Sequence, residues 1–189
     1  SQSYKIKRSD FEKRNKHRGI ALWLTGLSGS GKSTLANGLH QKLFDADMSS
    51  VVLDGDNTRL GINKDLTFSN EDRIENIRRV AEITKLFVQT GHVVITAFIS
   101  PFKENRTGAK EIISNNDFVE VFIDSSIEKC EERDMKGLYR KARSGEIKDF
   151  TGISSPYEKP KNADITLNTN DSSINDSIEL LYNQLKSRL

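Results

Sequence analysis

A glycine-rich segment reads Gly26-Leu27-Ser28-Gly29-Ser30-Gly31-Lys32-Ser33-Thr34 and fits the pattern G-x-x-x-x-G-K-[ST]. An apolar, β-prone run at 20–25 precedes it, and apolar residues at helical spacing follow it from position 35 onwards. Such a turn between a strand and a helix points successive backbone N–H groups into one concavity, to which the helix adds the positive end of its dipole. Lys32 is then expected to reach the outer phosphates, and the Ser33 hydroxyl to ligate Mg²⁺. The alternative is a chance glycine-rich turn, but strand, motif and helix follow in the required order, so the segment predicts a nucleoside triphosphate site.

Length and composition limit the class of protein. The chain of 189 residues fits one domain with a substantial core. Its 35% hydrophobic and 30% charged residues are typical of a soluble globular protein. The net charge of +2 predicts neither a nucleic-acid nor a membrane partner. Asp10 and Glu12 interrupt the basic segment at 5–18, which favours a solvated arm or helix over about 1–18 rather than a nucleic-acid-binding tail.

Cysteine usage and hydropathy predict a cytoplasmic location. Cys130 is the only cysteine, so no intrachain disulfide can form, as expected in a reducing compartment. No apolar run approaches the roughly 20 residues that a membrane-spanning helix needs. The N-terminal residues lack the charged, apolar and small-residue order of a secretory leader.

The chain alternates β-prone apolar runs with segments of helical period. Strands are predicted at 20–25, 50–54, 93–98, 118–124 and 163–167, and helices after the glycine-rich segment and at 71–89, 103–115, 127–133 and about 174–185. Ser69, three residues before Asp72, is the predicted N-cap of the helix at 71–89. This alternation predicts an α/β fold with a parallel sheet covered on both sides by helices. Ligands of such sheets bind at the carboxyl ends of the strands.

The segment at 136–161 breaks the alternation. It contains glycine at 137, 145 and 152, proline at 156 and 160, and many charges with little apolar periodicity. A structureless insertion of this length in a compact domain is usually functional or disordered. Beside a phosphate-binding loop it is predicted to be a mobile lid that excludes water, with a passive linker as the alternative.

Two carboxylates follow the strand at 50–54. Asp54 and Asp56 are expected to share one face if the strand continues through them, although the glycine between them allows the chain to bend. The alternative for either is a helix cap or a surface ion pair. His40 and His92 have no clustered Cys or His partner, so no zinc site is predicted.

Together these segments resemble the adenylylsulfate kinase (APS kinase) family, P-loop kinases that phosphorylate the 3′-hydroxyl of adenosine 5′-phosphosulfate (APS). The resemblance extends from about residue 17 to about residue 169. It is carried by the blocks at 23–34, 53–57, 75–79, 96–102, 136–139, 141–143, 145–148, 150–153 and 155–158. The phosphate loop is common to many enzymes, whereas the ordered set of the other blocks is specific to this family.

The resemblance implies a P-loop kinase fold with a parallel five-stranded sheet, order 2-3-1-4-5, flanked by helices, in a single domain. It implies transfer of the γ-phosphoryl group of ATP, with Mg²⁺, to APS, giving 3′-phosphoadenylylsulfate and ADP. It also suggests a homodimer. The alternatives are a P-loop kinase for another small hydroxylated metabolite and a nucleotide-binding module without turnover.

The resemblance also implies roles on the donor side of the site. Lys32 would stabilise charge on the β- and γ-phosphates, and Ser33 and Asp54 would hold Mg²⁺, Asp54 through water. Asp56 would orient or deprotonate the 3′-hydroxyl. The donor nucleotide would contact the phosphate loop from Gly26 to Thr34, with Arg133 over the adenine and Lys141 at the phosphates. The alternative for the last two is a solvated surface charge.

On the acceptor side, the resemblance implies a larger set of contacts: Asp56, Asn57, Arg59, Phe68, Arg73, Asn76, Ile99, Ser100, Lys136 and Phe150. Phe68 and Phe150 would sandwich the adenine, each stacking contact contributing about 1–3 kcal/mol. Arg59 and Arg73 would pair with the phosphosulfate. For Ser100 we expect a hydrogen bond to the acceptor rather than a phosphoserine intermediate, because in-line transfer between two bound nucleotides requires none.

Overall fold

Five parallel strands lie at the centre of the fold in the computed structural model, which describes residues 4–189. They are β1 (Ile20–Thr25), β2 (Ser50–Asp54), β3 (Val93–Ala97), β4 (Phe118–Asp124) and β5 (Ile165–Asn168). Their order is β2-β3-β1-β4-β5, which confirms the predicted topology. In the central register Leu22 lies between Ile95 of β3 and Val119 of β4.

Helices cover both faces of the sheet. They are α1 (Arg8–Asn15), α2 (Lys32–Asp45), α3 (Gly55–Leu60), α4 (Asn70–Gln89), α5 (Lys103–Ile113), α6 (Ile127–Glu132), α7 (Leu138–Arg143) and α8 (Ile174–Lys186). The Ser69 side chain accepts a hydrogen bond from the Asp72 amide, as predicted for the N-cap of α4. Within residues 4–189 every helix is too short or too polar to cross a membrane.

The core has one layer on each face of the sheet. On one face α2 and α8 pack Leu39 and Leu181 against the strands, and both side chains are fully buried. On the other face α4 and α5 pack Val80 and Ala109 around Trp23. Burial of each large apolar side chain contributes about 1.5–3 kcal/mol, so these two layers hold the carboxyl ends of the strands in a fixed register.

Two predictions about local structure were wrong. The chain turns into α3 directly at Gly55, so Asp54 and Asp56 do not share a strand, and Asp54 is instead the N-cap of α3. The segment at 136–161 is not structureless: it contains α7 and a bridge between Thr151 and Ser155.

The segment at 136–161 packs against the phosphate loop. Tyr139 of α7 is buried in a third apolar cluster with Leu27 of the loop and Cys130 of α6. Phe150 and Tyr157 pack against the same cluster. The segment therefore lies over the carboxyl edge of the sheet, where the lid was predicted.

The basic N-terminal segment at 5–18 forms α1 between positions 8 and 15 and is held to the sheet. Residues 1–3 of the predicted arm lie outside the part of the chain that the structure describes. The Arg8 guanidinium donates to both carboxylate oxygens of Asp117, at 2.6 and 2.8 Å. Its pKa is raised by this pairing, while burial opposes the rise. Arg18 donates to the same carboxylate. These ion pairs neutralise part of the positive charge of the segment, and α1 itself agrees with the arm or helix expected there.

Candidate active site

The phosphate loop joins the buried end of β1 to the start of α2. Gly26, Gly29 and Gly31 have positive φ angles of 158°, 75° and 100°. A Cβ atom on Gly29 would lie 2.7 Å from the Cys130 carbonyl oxygen, so this position also requires glycine for space. The backbone thus forms the predicted concave turn, and α2 begins at Lys32 with its N-terminus at the loop.

Lys32 lies inside this loop. Its Nζ donates to the carbonyl oxygens of Gly26 at 2.9 Å and Leu27 at 2.7 Å, and the residue is only 8% exposed. Burial lowers the pKa of Lys32 to about 8. A bound phosphate would restore a counter-charge to this ammonium, so the position fits the role of a charge-stabilising group at the β- and γ-phosphates.

A hydroxyl and a carboxylate meet at the first turn of α2. Ser33 Oγ donates to Asp54 Oδ2 at 2.5 Å, and Asp54 Oδ1 accepts from the Asp56 amide at 2.9 Å. Hard cations such as Mg²⁺ prefer oxygen ligands and often bind through one or two protein groups together with phosphates. Among residues 4–189 there is no cluster of three or more His, Cys, Asp or Glu side chains that would hold a metal alone. The two oxygen ligands of the Ser33–Asp54 pair fit an Mg²⁺ whose other ligands are phosphate oxygens and water.

Asp56 faces the segment at 136–161. Lys136 Nζ lies 2.5 Å from Asp56 Oδ2, and both side chains are well exposed. The hydrogen bond to this carboxylate raises the pKa of Lys136. The structure thus brings together the predicted base and a predicted acceptor-binding lysine, which are 80 positions apart in the sequence.

Arg59 packs on an aromatic ring, and its charge interacts with that of Arg73. The Arg59 guanidinium carbon lies 4.3 Å from the centroid of the Phe68 ring, a cation–π contact. Burial lowers the pKa of Arg59, and the nearby charge of Arg73 lowers it further. Arg73 donates to the Asp149 carbonyl at 2.7 Å, next to Phe150. Adjacent arginines that repel each other form a site suited to a multiply charged anion.

Four of the other predicted acceptor residues differ in their exposure and contacts. Asn57 is exposed on α3, Phe68 is exposed, and Asn76 is buried and accepts a hydrogen bond from Asn63 at 2.9 Å. Phe150 is partly buried, with its ring edge-to-face against Tyr139 at a centroid distance of 4.9 Å. A sandwich of adenine between the two phenylalanines stays a prediction.

Ser100 follows β3 in a strained backbone conformation. Its φ is +38°, which is uncommon outside glycine, and the residue is 2% exposed. Its hydroxyl accepts a hydrogen bond from Trp23 Nε1 at 3.1 Å. The preceding carbonyl, of Ile99, accepts from Thr25 Oγ1 at 2.7 Å. Strain held by surrounding contacts is a feature of functional sites.

The structure shows fewer contacts for the residues predicted to bind the donor nucleotide outside the phosphate loop. Arg133 donates to the Thr169 carbonyl at the end of β5, and Thr169 Oγ1 donates to Ser30 of the phosphate loop at 3.1 Å. Lys141 is exposed on α7. The structure therefore connects Arg133 to the phosphate loop through Thr169, and gives Lys141 no corresponding contact.

A family model described as adenylylsulphate kinase matches residues 18–168 of the chain. The chain belongs to this family. It is similar to the adenylyl-sulfate kinase of Clostridium acetobutylicum, with 57% identity over 168 residues, 89% of this chain and 84% of that relative. It is also similar to a probable adenylyl-sulfate kinase of Bacillus subtilis, with 50% identity over 183 residues, 97% of this chain and 92% of that relative.

A solved structure of the Mycobacterium tuberculosis APS kinase in complex with AMPPNP and APS has a TM-score of 0.86 and 47% identity to this chain. The match covers 89% of this chain and 98% of that one. These findings confirm the predicted family, the P-loop kinase fold and the class of enzyme, a phosphotransferase with an alcohol acceptor.

One group in this member of the adenylylsulphate kinase family was not identified from the sequence. Arg106 of α5 is 3% exposed and donates to the Ser100 carbonyl at 2.8 Å, to Glu120 of β4 at 2.7 Å and to the Glu158 carbonyl at 2.8 Å. It therefore joins the strained turn to the end of the segment at 136–161. A signal was present, since Arg106 shares the inward stripe of α5 with Ala109 and Ile113.

Proposed function

We propose that the chain transfers the γ-phosphoryl group of Mg·ATP to the 3′-hydroxyl of APS, giving 3′-phosphoadenylylsulfate and ADP. The observation that carries this proposal is the phosphate loop with Lys32 buried in it, next to the Ser33–Asp54 hydrogen bond and the bond from the Asp56 amide to Asp54. Arg59, whose pKa the charge of Arg73 helps to lower, would supply positive charge for the acceptor. The M. tuberculosis relative solved with APS and an ATP analogue supports the same choice of substrates.

On the donor side, the backbone amides of the loop would bind the phosphates and Lys32 would neutralise charge on the γ-phosphoryl oxygens. Mg²⁺ bound next to Ser33, with Asp54 acting through water, would supply further charge neutralisation. Arg133 would lie at the adenine, and Lys141 would contact the phosphates when α7 moves toward them. Most of the catalysis is then positioning and charge stabilisation, as expected for phosphoryl transfer.

On the acceptor side, Arg59 and Arg73 would bind the phosphosulfate, while Phe68 and Phe150 would stack on the adenine. The bond from the 3′-oxygen to the γ-phosphorus forms as the bond from that phosphorus to the β,γ-bridging oxygen breaks. The 3′-hydroxyl proton passes to Asp56. Because Lys136 Nζ lies 2.5 Å from one oxygen of this carboxylate, we expect the acceptor hydroxyl to compete with the lysine for Asp56.

Asn57, Asn76, Ile99 and Ser100 would complete the acceptor pocket by hydrogen bonding and contact. The Ser100 hydroxyl is buried against Trp23, which favours a positioning role over a covalent one. No phosphoserine intermediate is needed in this scheme.

The segment at 136–161 would act as a lid within a single domain. Its contacts to the rest of the site, through Lys136 with Asp56 and through Asp149 with Arg73, involve groups that would bind the acceptor. Substrate binding and movement of the segment are therefore expected to be linked.

We further propose a homodimer and a cytoplasmic location. Leu60 and Ile62, at the end of α3 and in the turn after it, are 82% and 54% exposed, and this apolar pair would lie at the interface. Sedimentation equilibrium would measure the oligomeric state, and a monomer at micromolar concentration would contradict the dimer. The free, buried Cys130 is consistent with a reducing compartment.

The decisive experiment measures ADP release with and without APS, in parallel with gluconate, shikimate and a nucleoside as acceptors. We expect APS to exceed the other acceptors in kcat/KM by orders of magnitude. Comparable turnover with another hydroxylated metabolite would support a different P-loop kinase. Binding of ATP without acceptor-dependent ADP release would support a nucleotide-binding module.

A further inference from the structure

Tyr139 of α7 contacts both halves of the site. Its hydroxyl donates to the carbonyl oxygen of Ser28 at 2.8 Å, and Ser28 lies within the phosphate loop. Its ring packs edge-to-face on Phe150, with the centroids 4.9 Å apart and the planes at 74°. One side chain therefore connects the donor loop to a proposed acceptor aromatic.

The position of Tyr139 is fixed from several directions. The residue is 2% exposed and packs with Leu27 and Cys130. Its backbone amide donates to Asp134 Oδ2 at 2.7 Å at the start of α7. Burial raises the pKa of Tyr139, and the neighbouring Cys130 contributes to the rise, so the hydroxyl keeps the proton that it donates to Ser28.

From these contacts we infer that Tyr139 is a positioning residue that couples occupancy of the donor loop to the order of the acceptor pocket. This inference rests on the proposed function, because it takes the phosphate loop as the donor site and Phe150 as part of the acceptor site. A triphosphate that orders the backbone at Ser28 would further restrict Tyr139 through this hydrogen bond, and the ring of Tyr139 would in turn further restrict Phe150. A chain of packed and hydrogen-bonded groups of this kind transmits a binding free energy in both directions.

The alternative is that Tyr139 only fills the apolar cluster. Both accounts predict that a large truncation destabilises the protein, so the test uses Tyr139→Phe, which keeps the ring and removes the hydroxyl. Tyr182→Phe is the matched control, since Tyr182 lies on α8, outside the proposed site, with its ring near Lys42.

The experiment is calorimetric titration of the full chain with a non-hydrolysable ATP analogue, with APS and with each in the presence of the other. The coupling factor is the ratio of APS affinities with and without the analogue. In the wild-type chain we expect the analogue to tighten APS binding. In Tyr139→Phe we expect the analogue alone to bind about 2- to 10-fold more weakly, as for loss of one hydrogen bond, and the coupling factor to approach one.

A second variant keeps the test independent of the hydroxyl substitution. Phe150→Leu removes the other end of the connection, so its coupling factor should also fall. The double variant should then lose no more coupling than the more affected single variant, because both changes interrupt one path. Tyr182→Phe should retain the wild-type coupling factor.

An unchanged coupling factor in Tyr139→Phe, or an equal loss in Tyr182→Phe, would overturn the inference. So would the absence of coupling in the wild-type chain. The turnover assay separates this result from failure of the proposed function. APS-dependent ADP release in the wild type together with unchanged coupling in Tyr139→Phe rejects only the role of Tyr139, whereas absence of APS-dependent release rejects both.

Discussion

Replacing Arg106 with methionine should affect stability and acceptor binding together. The substitution leaves the carbonyl oxygens of Ser100 and Glu158 and the Glu120 carboxylate without their shared donor. The Arg106 side chain is 3% exposed and that of Glu120 is 21% exposed, so the Glu120 charge would be left partly buried. Breaking a buried pair by removing one partner costs about 3–5 kcal/mol. For a chain of this size that corresponds to a fall in Tm of roughly 6–20 °C.

The functional consequence follows from the strained turn. Without the Arg106 hydrogen bond, Ser100 has one contact fewer to hold its positive φ, so the turn is expected to relax. The KM for APS should therefore rise by more than the KM for ATP, because the phosphate loop does not contact Arg106.

Thermal unfolding and two-substrate kinetics measure both effects. Arg78→Met is the matched control, because Arg78 is 52% exposed on α4 and pairs only with neighbouring carboxylates, for which less than about 1 kcal/mol is expected. If Arg106→Met were no less stable than Arg78→Met, or if both KM values rose equally, the role given to Arg106 would be wrong.

Further predictions concern the phosphate loop, the lid and the turn after β3. Lys32→Ala should lower kcat by about 10²–10³-fold, as for loss of one preorganised charge-stabilising group, and near-normal turnover would contradict its role. Phe150→Ala should weaken APS binding about 5- to 150-fold and ATP binding by less. The control is Phe44→Ala, at a side chain 70% exposed on α2, which should change the affinity for neither nucleotide. An equal loss of affinity for both nucleotides in Phe150→Ala would mean that this residue acts through lid folding. Ser100→Ala should keep most of its kcat, and abolished turnover in a folded variant would favour a covalent intermediate. Because the pKa of Lys32 is lowered from 10.5 to about 8, the unfolded chain binds more protons than the folded chain between these values. The difference in free energy of unfolding between the wild type and Lys32→Met should therefore rise in favour of the wild type as pH increases from about 8 to about 10. Urea titration without nucleotide measures this difference, and a value independent of pH would contradict the burial of this ammonium.

The fold was predictable because its signals are local. The strands β1 and β3 are buried along their whole length, so each is a near-continuous hydrophobic run, and the glycine-rich motif marks the turn from β1 to α2. The sequence does not predict the helix α7, because glycine on both sides of a short segment usually interrupts a helix. In the structure Gly137 and Gly145 lie just before and just after the helix with φ angles of +66° and +80°, so they mark its ends instead of preventing it.

The site was predictable only in part, because its contacts depend on how distant segments meet. Ser33 and Asp54 are 21 positions apart, yet the rule that ligands bind at the carboxyl ends of strands brings them to one edge. No such rule relates Arg106 to the Glu158 carbonyl, 52 positions away. That contact depends on the path of the chain after α7, which has no periodic signal.

Three cationic groups of the site are already paired within the protein. Lys32 donates to loop carbonyls, Lys136 pairs with Asp56, and Arg73 donates to the Asp149 carbonyl. A substrate must replace each of these contacts, so only the excess of its interactions over the existing ones contributes to affinity. Two of these contacts join the segment at 136–161 to the acceptor side, whereas Lys32 is bonded within the donor loop itself. Acceptor binding is therefore expected to require more rearrangement than donor binding. Weakening the Lys136–Asp56 contact should accordingly change the rate constant for acceptor binding and leave the rate constant for donor binding unchanged.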